Sequence, residues 1–177
     1  VCNSEVKRKI SKKMFLPVIY GLGSKGLSEN LKIPESAAIK VKNNINSIFS
    51  TAVNWVSEKQ KIAQNGGIVK DYFGRPRKYD PNQAYLARNR VVQAVAATGC
   101  EEKMIDLWKA LNSTESKLVF SVHDGYGVIC LKETAKDTYK IMKSVLEKES
   151  KLCPGLKMNV EIKFGVNLND MKVLWTN

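Results

Sequence analysis

The chain has 177 residues and a mass of 19.8 kDa, the size of one domain or one substantial piece of a larger protein. Apolar residues make up 44% and charged residues 26%, which supports a packed core and excludes a disordered chain. With 29 Lys and Arg against 17 Asp and Glu, the formal charge of +12 points to a polyanionic partner, and the absence of an apolar run of roughly 18 residues argues against a membrane span.

The start, Val1 to Ile10, is polar and basic, with no secretory signal and no initiator Met. An intracellular protein is expected, either processed, trimmed or part of a longer chain. Its compartment stays open between viral and organellar settings. Cys2, Cys100, Cys130 and Cys153 are dispersed, and His123 is the only histidine. This spread lacks the clustering of a zinc site, and a chain with this much potential core argues against a disulfide framework. Reduced, mostly buried thiols are expected, and residue types alone leave a Cys–His pair through His123 open.

Residues 4–20 read as a helix with Ser4 as N-cap and Pro17 as a kink. Tyr20 to Gly26 reads as a glycine-loosened helix end and turn, followed by a short helix over about Leu27 to Leu31. Pro34-Glu35-Ser36 starts a further helix. Apolar residues from Ala38 through Val41, Ile45, Phe49, Ala52 and Val56 carry its period without interruption to about Gln64. Asn65-Gly66-Gly67 stops it. Ile68 to Tyr72 reads as a strand, Gly74 to Arg77 as a turn, and Lys78-Tyr79 as the return.

Gln83 to Leu111 reads as one long helix, with Val91, Val95, Met104, Ile105 and Trp108 among its apolar positions and Gly99 as a weak point. Leu118 to Val122 and Val128 to Leu131 are strand-like runs. Between them His123 to Gly127 reads as a tight turn with Asp-Gly at its centre, a strong hairpin signal. Glu133 to Lys151 reads as a helix stopped by Pro154-Gly155. Met158, Val160, Ile162 and Phe164 alternate as in a strand. The pattern is α+β, helices first and a small antiparallel sheet later.

Several features carry chemistry. Arg8 and Lys12 stand one turn apart on one helix face, and Leu16 and Tyr20 continue the stripe. A cationic pair above an aromatic ring suits a triphosphate and a base or sugar, although a solvated basic helix has the same composition. Asp124 in a tight turn suits a metal ligand, and equally an ordinary Asp-Gly turn. Phe73-Gly-Arg75-Pro-Arg77-Lys-Tyr79 places three cations and two aromatics in seven residues, a phosphate-gripping or merely basic loop. Asn89 and Gln93, one helical turn apart, suit the minor-groove edges of a duplex.

In this order the features resemble the C-terminal fingers and palm portion of a family A, DNA polymerase I-like enzyme. Arg8, Lys12 and Tyr20-Gly21 are similar to that family's motif B at its spacing, and Val122-His123-Asp124 to its motif C. Asn89-Arg-Val-Val-Gln93 followed by Ala94, Ala96 and Ala97 resembles its Asn-x3-Gln helix. Val160 to Gly165 resembles its last palm strand and turn.

The resemblance implies fingers-like residues 1–66 and palm-like residues 67–177. It implies template-directed DNA synthesis with Mg2+, primer-template DNA and a dNTP. Asp124 would be the metal ligand. Lys12 would neutralise the triphosphate and protonate the leaving group. Arg8 would hold the outer phosphate. Leu16 and Tyr20 would line the nucleotide pocket, and Gly21 would admit the template. His123 would meet the primer end, Arg75 and Arg77 backbone phosphates, and Asn89 and Gln93 the minor groove.

The chain departs from the family pattern at four places. The motif A aspartate and the thumb are not in it, so a second polypeptide or an N-terminal region would supply them, and the isolated chain is expected to be inactive. Gly125 stands where Glu is common after the motif C Asp. Leu16 and Pro17 stand where an aromatic and Gly are common. Tyr85 and Ala94 replace an Arg and a Gly. The alternatives are part of a single-subunit RNA polymerase, a catalytically inactive nucleic-acid-binding subunit, and a basic α+β domain with chance matches.

Overall fold

The computed structural model describes residues 5–155 and 157–173. Ser4, the expected N-cap, and Cys2 lie outside the described residues. The chain gathers into two compact units, residues 1–95 and 96–177. This division by compactness is separate from a functional division at 66/67. The fold is α+β, with two small antiparallel sheets.

In the first unit, α1 spans Glu5–Ile19, α2 Ser24–Leu31, α3 Glu35–Ile48 and α4 Ser50–Gln64. α1 holds Pro17 inside its last turn. It closes through a paired cap: the Leu22 N–H donates to Pro17 O at 2.8 Å and the Gly21 N–H to Val18 O at 3.0 Å. This is the Schellman arrangement, with Gly21 in the left-handed position at φ 96°. α2 begins at Ser24, earlier than the Leu27 expected from apolar residues, because its first turn is polar and glycine-containing. Val18, Leu27 and Ala38 form a small core joining α1, α2 and α3.

The single helix expected from Pro34 to Gln64 is two helices, interrupted at Phe49 (φ −108°, ψ 33°). The reason is tertiary. α3 packs Val41 and Ile45 on the α1–α2 core, whereas α4 sends Val56 and Ala63 into a second core. One straight rod does not serve both. Phe49 turns its ring edge-on to Phe15, with centroids 4.7 Å apart.

The second core adds Val69, Tyr79, Ala84, Ala87 and Val91. β1 is only Val69–Lys70 and pairs with β2, Pro76–Arg77. Pro76 and Arg77 are therefore strand rather than turn, and the turn is Asp71 to Gly74. A 3-10 turn over Pro81–Gln83 precedes α5, Leu86–Leu111, which starts three residues later than expected. Asp80 caps that 3-10 turn by accepting from the Asn82 N–H at 2.8 Å.

In the second unit, β3 (Lys117–Val122) pairs with β4 (Gly125–Ile129), and α6 spans Ala135–Leu146. Leu107 and Leu111 of α5 meet Met142, Leu146 and Ile162 in the core. Ile105 and Trp108 are exposed, on the side of α5 away from Leu107. The Ser116 and Thr138 hydroxyls form a buried hydrogen bond of 2.7 Å.

α6 ends well before the expected Lys151. Lys103 donates to the carbonyls of Val145 and Lys148, covering that helix end, and Ser150 donates to Glu102 at 2.9 Å. Residues 158–164 keep the alternation, with Ile162 buried and Val160 and Phe164 half-buried, but Met158 is exposed and no strand forms. An extended segment becomes a strand only beside a partner. Among the described residues the one pairing of this segment is Phe164 with Lys172. Cys100 and Cys130 are half-buried and Cys153 is exposed, so the thiols are less buried than expected. No described helix is long and apolar enough to cross a membrane.

Candidate functional site

α1 is divided along its length. Val18 and Ile19 are buried, Leu16 and Tyr20 are half-buried, and Arg8 and Lys12 are exposed. The apolar end anchors the helix and the basic end stands in water. Arg8 to Tyr20 covers about 18 Å along an ideal helix axis. Neither Arg8 nor Lys12 pairs with a carboxylate among the described residues. The stripe read from the sequence is charged where α1 stands in water and aromatic just past its end, turning by about 40° at each step of four.

The Gly21 cap is crowded by Arg88. A Cβ at Gly21 would lie 3.1 Å from Arg88 Cδ and 3.3 Å from Arg88 Nε. Arg88 Nε donates to Gln60 Oε1, which ties α5 to α4. Burial lowers the Arg88 pKa from its ordinary value. Arg88 and Gln60 carry no sequence signal, since 28 residues separate them.

Arg75 is clamped. Asp71 is buried and accepts from the N–H groups of Phe73 (2.9 Å) and Arg75 (3.0 Å), and from Arg75 Nε at 2.7 Å. Arg75 Nη2 donates to the Ala94 carbonyl at 3.2 Å, and the guanidinium lies 4.9 Å from the Phe73 ring centroid. Burial pushes the Asp71 carboxyl up, but these hydrogen bonds and the Arg75 charge outweigh it and hold the pKa below the ordinary range. Asp71 was legible in principle, as an acid four residues before Arg75 across a Phe-Gly turn. Arg77, on β2, is exposed.

Asn89 is half-buried on α5, with Oδ1 enclosed and unpartnered among the described residues, and Gln93 is exposed one turn on. Arg8, Lys12, Leu16, Tyr20, Gly21, Arg75, Arg77, Asn89 and Gln93 all belong to the first unit.

His123 and Asp124 belong to the second. Val122 pairs directly with Gly125, so the loop is the two residues His123-Asp124. The turn is tighter than expected, and Gly125 is strand rather than turn centre. His123 adopts φ 54°, as the primed turns of two-residue hairpins require. Both side chains are exposed at the tip. Tyr126 donates to the Cys100 carbonyl at 2.7 Å. Burial first, then Cys100 and the Asp124 carboxylate, push the Tyr126 phenol up and keep it a donor.

Asp124 offers a hard oxygen donor with no hydrogen bond or ion pair among the described residues. No group of three His, Cys, Asp or Glu able to hold a metal occurs among them. The Asp124 carboxylate could thus supply one ligand to a divalent cation, and not a whole site.

A model of DNA polymerase family A matches residues 2–170. The thermostable DNA polymerase I of Thermus aquaticus is 26% identical over 166 residues, covering 88% of this chain and 20% of that protein. The DNA polymerase I of Caldicellulosiruptor bescii is 25% identical over 179 residues, covering 93% and 21%. The chain thus spans about a fifth of the length of these curated relatives. Among solved structures, the POL domain of Pol1 from M. smegmatis, in complex with DNA primer-template and dNTP, has a TM-score of 0.66 at 20% identity, over 81% of this chain and 28% of that one. That likeness shows the fold.

Proposed function

Because this chain belongs to DNA polymerase family A, we propose that it serves template-directed DNA synthesis as the fingers-like (1–66) and palm-like (67–177) portion of a polymerase. The observation that carries this reading is the α1 edge. Two cations one turn apart, without a carboxylate partner among the described residues, lead to a half-buried tyrosine and a glycine helix cap. Family membership favours a DNA product over the single-subunit RNA polymerase reading.

In this reading Arg8 and Lys12 bind the triphosphate of a dNTP, Arg8 at the outer phosphate. Lys12 offsets developing charge and passes a proton to the leaving pyrophosphate. Leu16 and Tyr20 line the sugar and base pocket, and the bare Gly21 backbone admits the template. Arg77 meets a backbone phosphate. Arg75, held by Asp71 and the Ala94 carbonyl, fixes the loop close to the same backbone. Asn89 and Gln93 meet the minor groove, and His123 meets the primer end. Asp124 would hold magnesium, which when bound supplies charge stabilisation at the attacking and leaving oxygens.

A second carboxylate is needed, and we place it on a further segment or polypeptide that also brings the thumb. Exposed Val119, Phe120, Val122 and Ile129 on the β3–β4 hairpin support such a cover. The enzyme would work inside the cell or organelle that holds its DNA.

The test is primer extension by the native assembly captured through this chain, with its mass measured first. Asp124→Ala should abolish extension with magnesium and a primed template. Extension that survives this change sinks the metal-ligand assignment. Gly125 and the lone carboxylate motivate a second reading, an inactive DNA-binding subunit. That subunit would bind primer-template in a salt-sensitive way. It would support no extension in wild type or variant.

A further inference from the structure

A cavity of about 320 Å³ lies within the first unit, where β2, the 3-10 turn and α5 come together. Arg77, Lys78, Asp80, Gln83 and Arg90 supply its polar lining, and Tyr79 and Leu86 the apolar part. Three cations face one carboxylate. That carboxylate already accepts the Asn82 N–H at 2.8 Å as the cap of the 3-10 turn. None of the three cations forms an ion pair with another described residue. Like charges gathered without counter-ions cost free energy, so their convergence on one concavity calls for an anion. A metal cation would meet net repulsion there.

We propose that Arg77, Lys78, Gln83 and Arg90 form a pocket for a backbone phosphate of the bound duplex. The inference rests on the DNA-binding reading above and extends it across the chain: it adds Lys78 from the loop and Gln83 and Arg90 from beyond it. Two guanidinium forks match phosphate oxygens bidentately, Lys78 adds a mobile point charge, and Gln83 a neutral donor. The volume sits at the small end of ligand pockets, room for a phosphodiester and part of its sugar. Arg75 is unsuited to lead this contact because Asp71 and Ala94 hold it. The pocket therefore assigns the anion-binding work of the loop to Arg77 and Lys78.

The test uses the full chain and a labelled primer-template, with the dissociation constant measured from 50 to 200 mM salt. Each lost phosphate contact lowers the slope of log K against log salt by about 0.9. Lys78→Gln with Arg90→Gln, which empties the pocket of its one phosphate, should therefore lower the slope by about 0.9, equally for unrelated sequences, with an unchanged melting temperature. Arg90→Lys should keep the slope and weaken binding several-fold through loss of the fork. Lys140→Gln, an exposed control on α6, should leave the slope alone.

Wild-type binding with an unaltered slope in the double variant overturns the pocket and leaves the polymerase reading standing. No salt-sensitive binding by wild type overturns both. A parallel titration with pyrophosphate separates the sources. Loss of pyrophosphate binding in the double variant, with the DNA slope intact, would mean a free polyphosphate site and overturn the backbone assignment.

Discussion

Gly21 sits at φ 96° with the Arg88 side chain against the face where a Cβ would project. Both facts disfavour a side chain there. A left-handed conformation costs an L-residue roughly 1–2 kcal/mol, and the Arg88 side chain would have to give way slightly. Gly21→Ala should lower stability by about 1–2 kcal/mol, read as a fall in melting temperature; an unchanged value would mean the cap reforms elsewhere. Asp71 offers a pH test. Its folded pKa lies below the ordinary value of 3.8, so its stabilisation is full above that value and drains as pH falls through the folded one. Half of the Arg75 side chain is exposed, so the worth is about 1 kcal/mol at most. Melting temperatures of wild type and Asp71→Asn should differ at neutral pH and converge as pH falls through the lowered folded value. A constant difference down the acid limb would show that the charge is not what matters. At this scale the sequence was readable where spacing is local. Arg8 and Lys12 fell one turn apart on α1 as i, i+4 arithmetic requires, with Tyr20 just past the helix end. Arg88 with Gln60 was unreadable, because only tertiary packing brings them together.

Three helices end by the same device. α1 closes on Gly21, α4 on Gly66 at φ 71°, and α2 on Lys32 at φ 53°. The first two are glycine, as the left-handed position favours. Lys32 is exposed and its N–H already serves the cap. Lys32→Gly should remove local strain, gaining about 0.5–1 kcal/mol after the extra unfolded-state entropy of glycine. A rise of about 2–4 °C in melting temperature would follow; a fall would mean the lysine stem contributes more by packing than its backbone costs. Helix ends marked by glycine were legible for this reason. The break at Phe49 was not, because the apolar period runs through it and only the two separate cores decide it. The alternation of Val160, Ile162 and Phe164 was legible as a face, but strand formation depends on a neighbour that periodicity does not reveal.

At the scale of the whole molecule, the hairpin that carries Asp124 has little cover. Of the six residues of β3 only Leu118 is even half-buried, and Val119 and Phe120, successive on the strand, are both exposed. The pairing skips Val119 in a bulge between Leu118 and Phe120, and the strand leaves Val119, Phe120 and Val122 exposed to solvent. A bare apolar edge of this kind promotes association unless another strand or chain lies against it. The consequence is specific. The isolated chain should bind a hydrophobic dye and self-associate at micromolar concentration, and it should extend no primer. Adding the polypeptide that completes the polymerase should suppress dye binding, raise the melting temperature with partner concentration, and bring primer extension with it. Val122→Lys with Ile129→Lys should keep the isolated chain folded and more soluble, while weakening assembly and, through it, extension. A monomeric chain that ignores the dye, and an assembly indifferent to the paired lysines, would move the partner away from this hairpin. The Asp124 carboxylate would then need its companion from elsewhere.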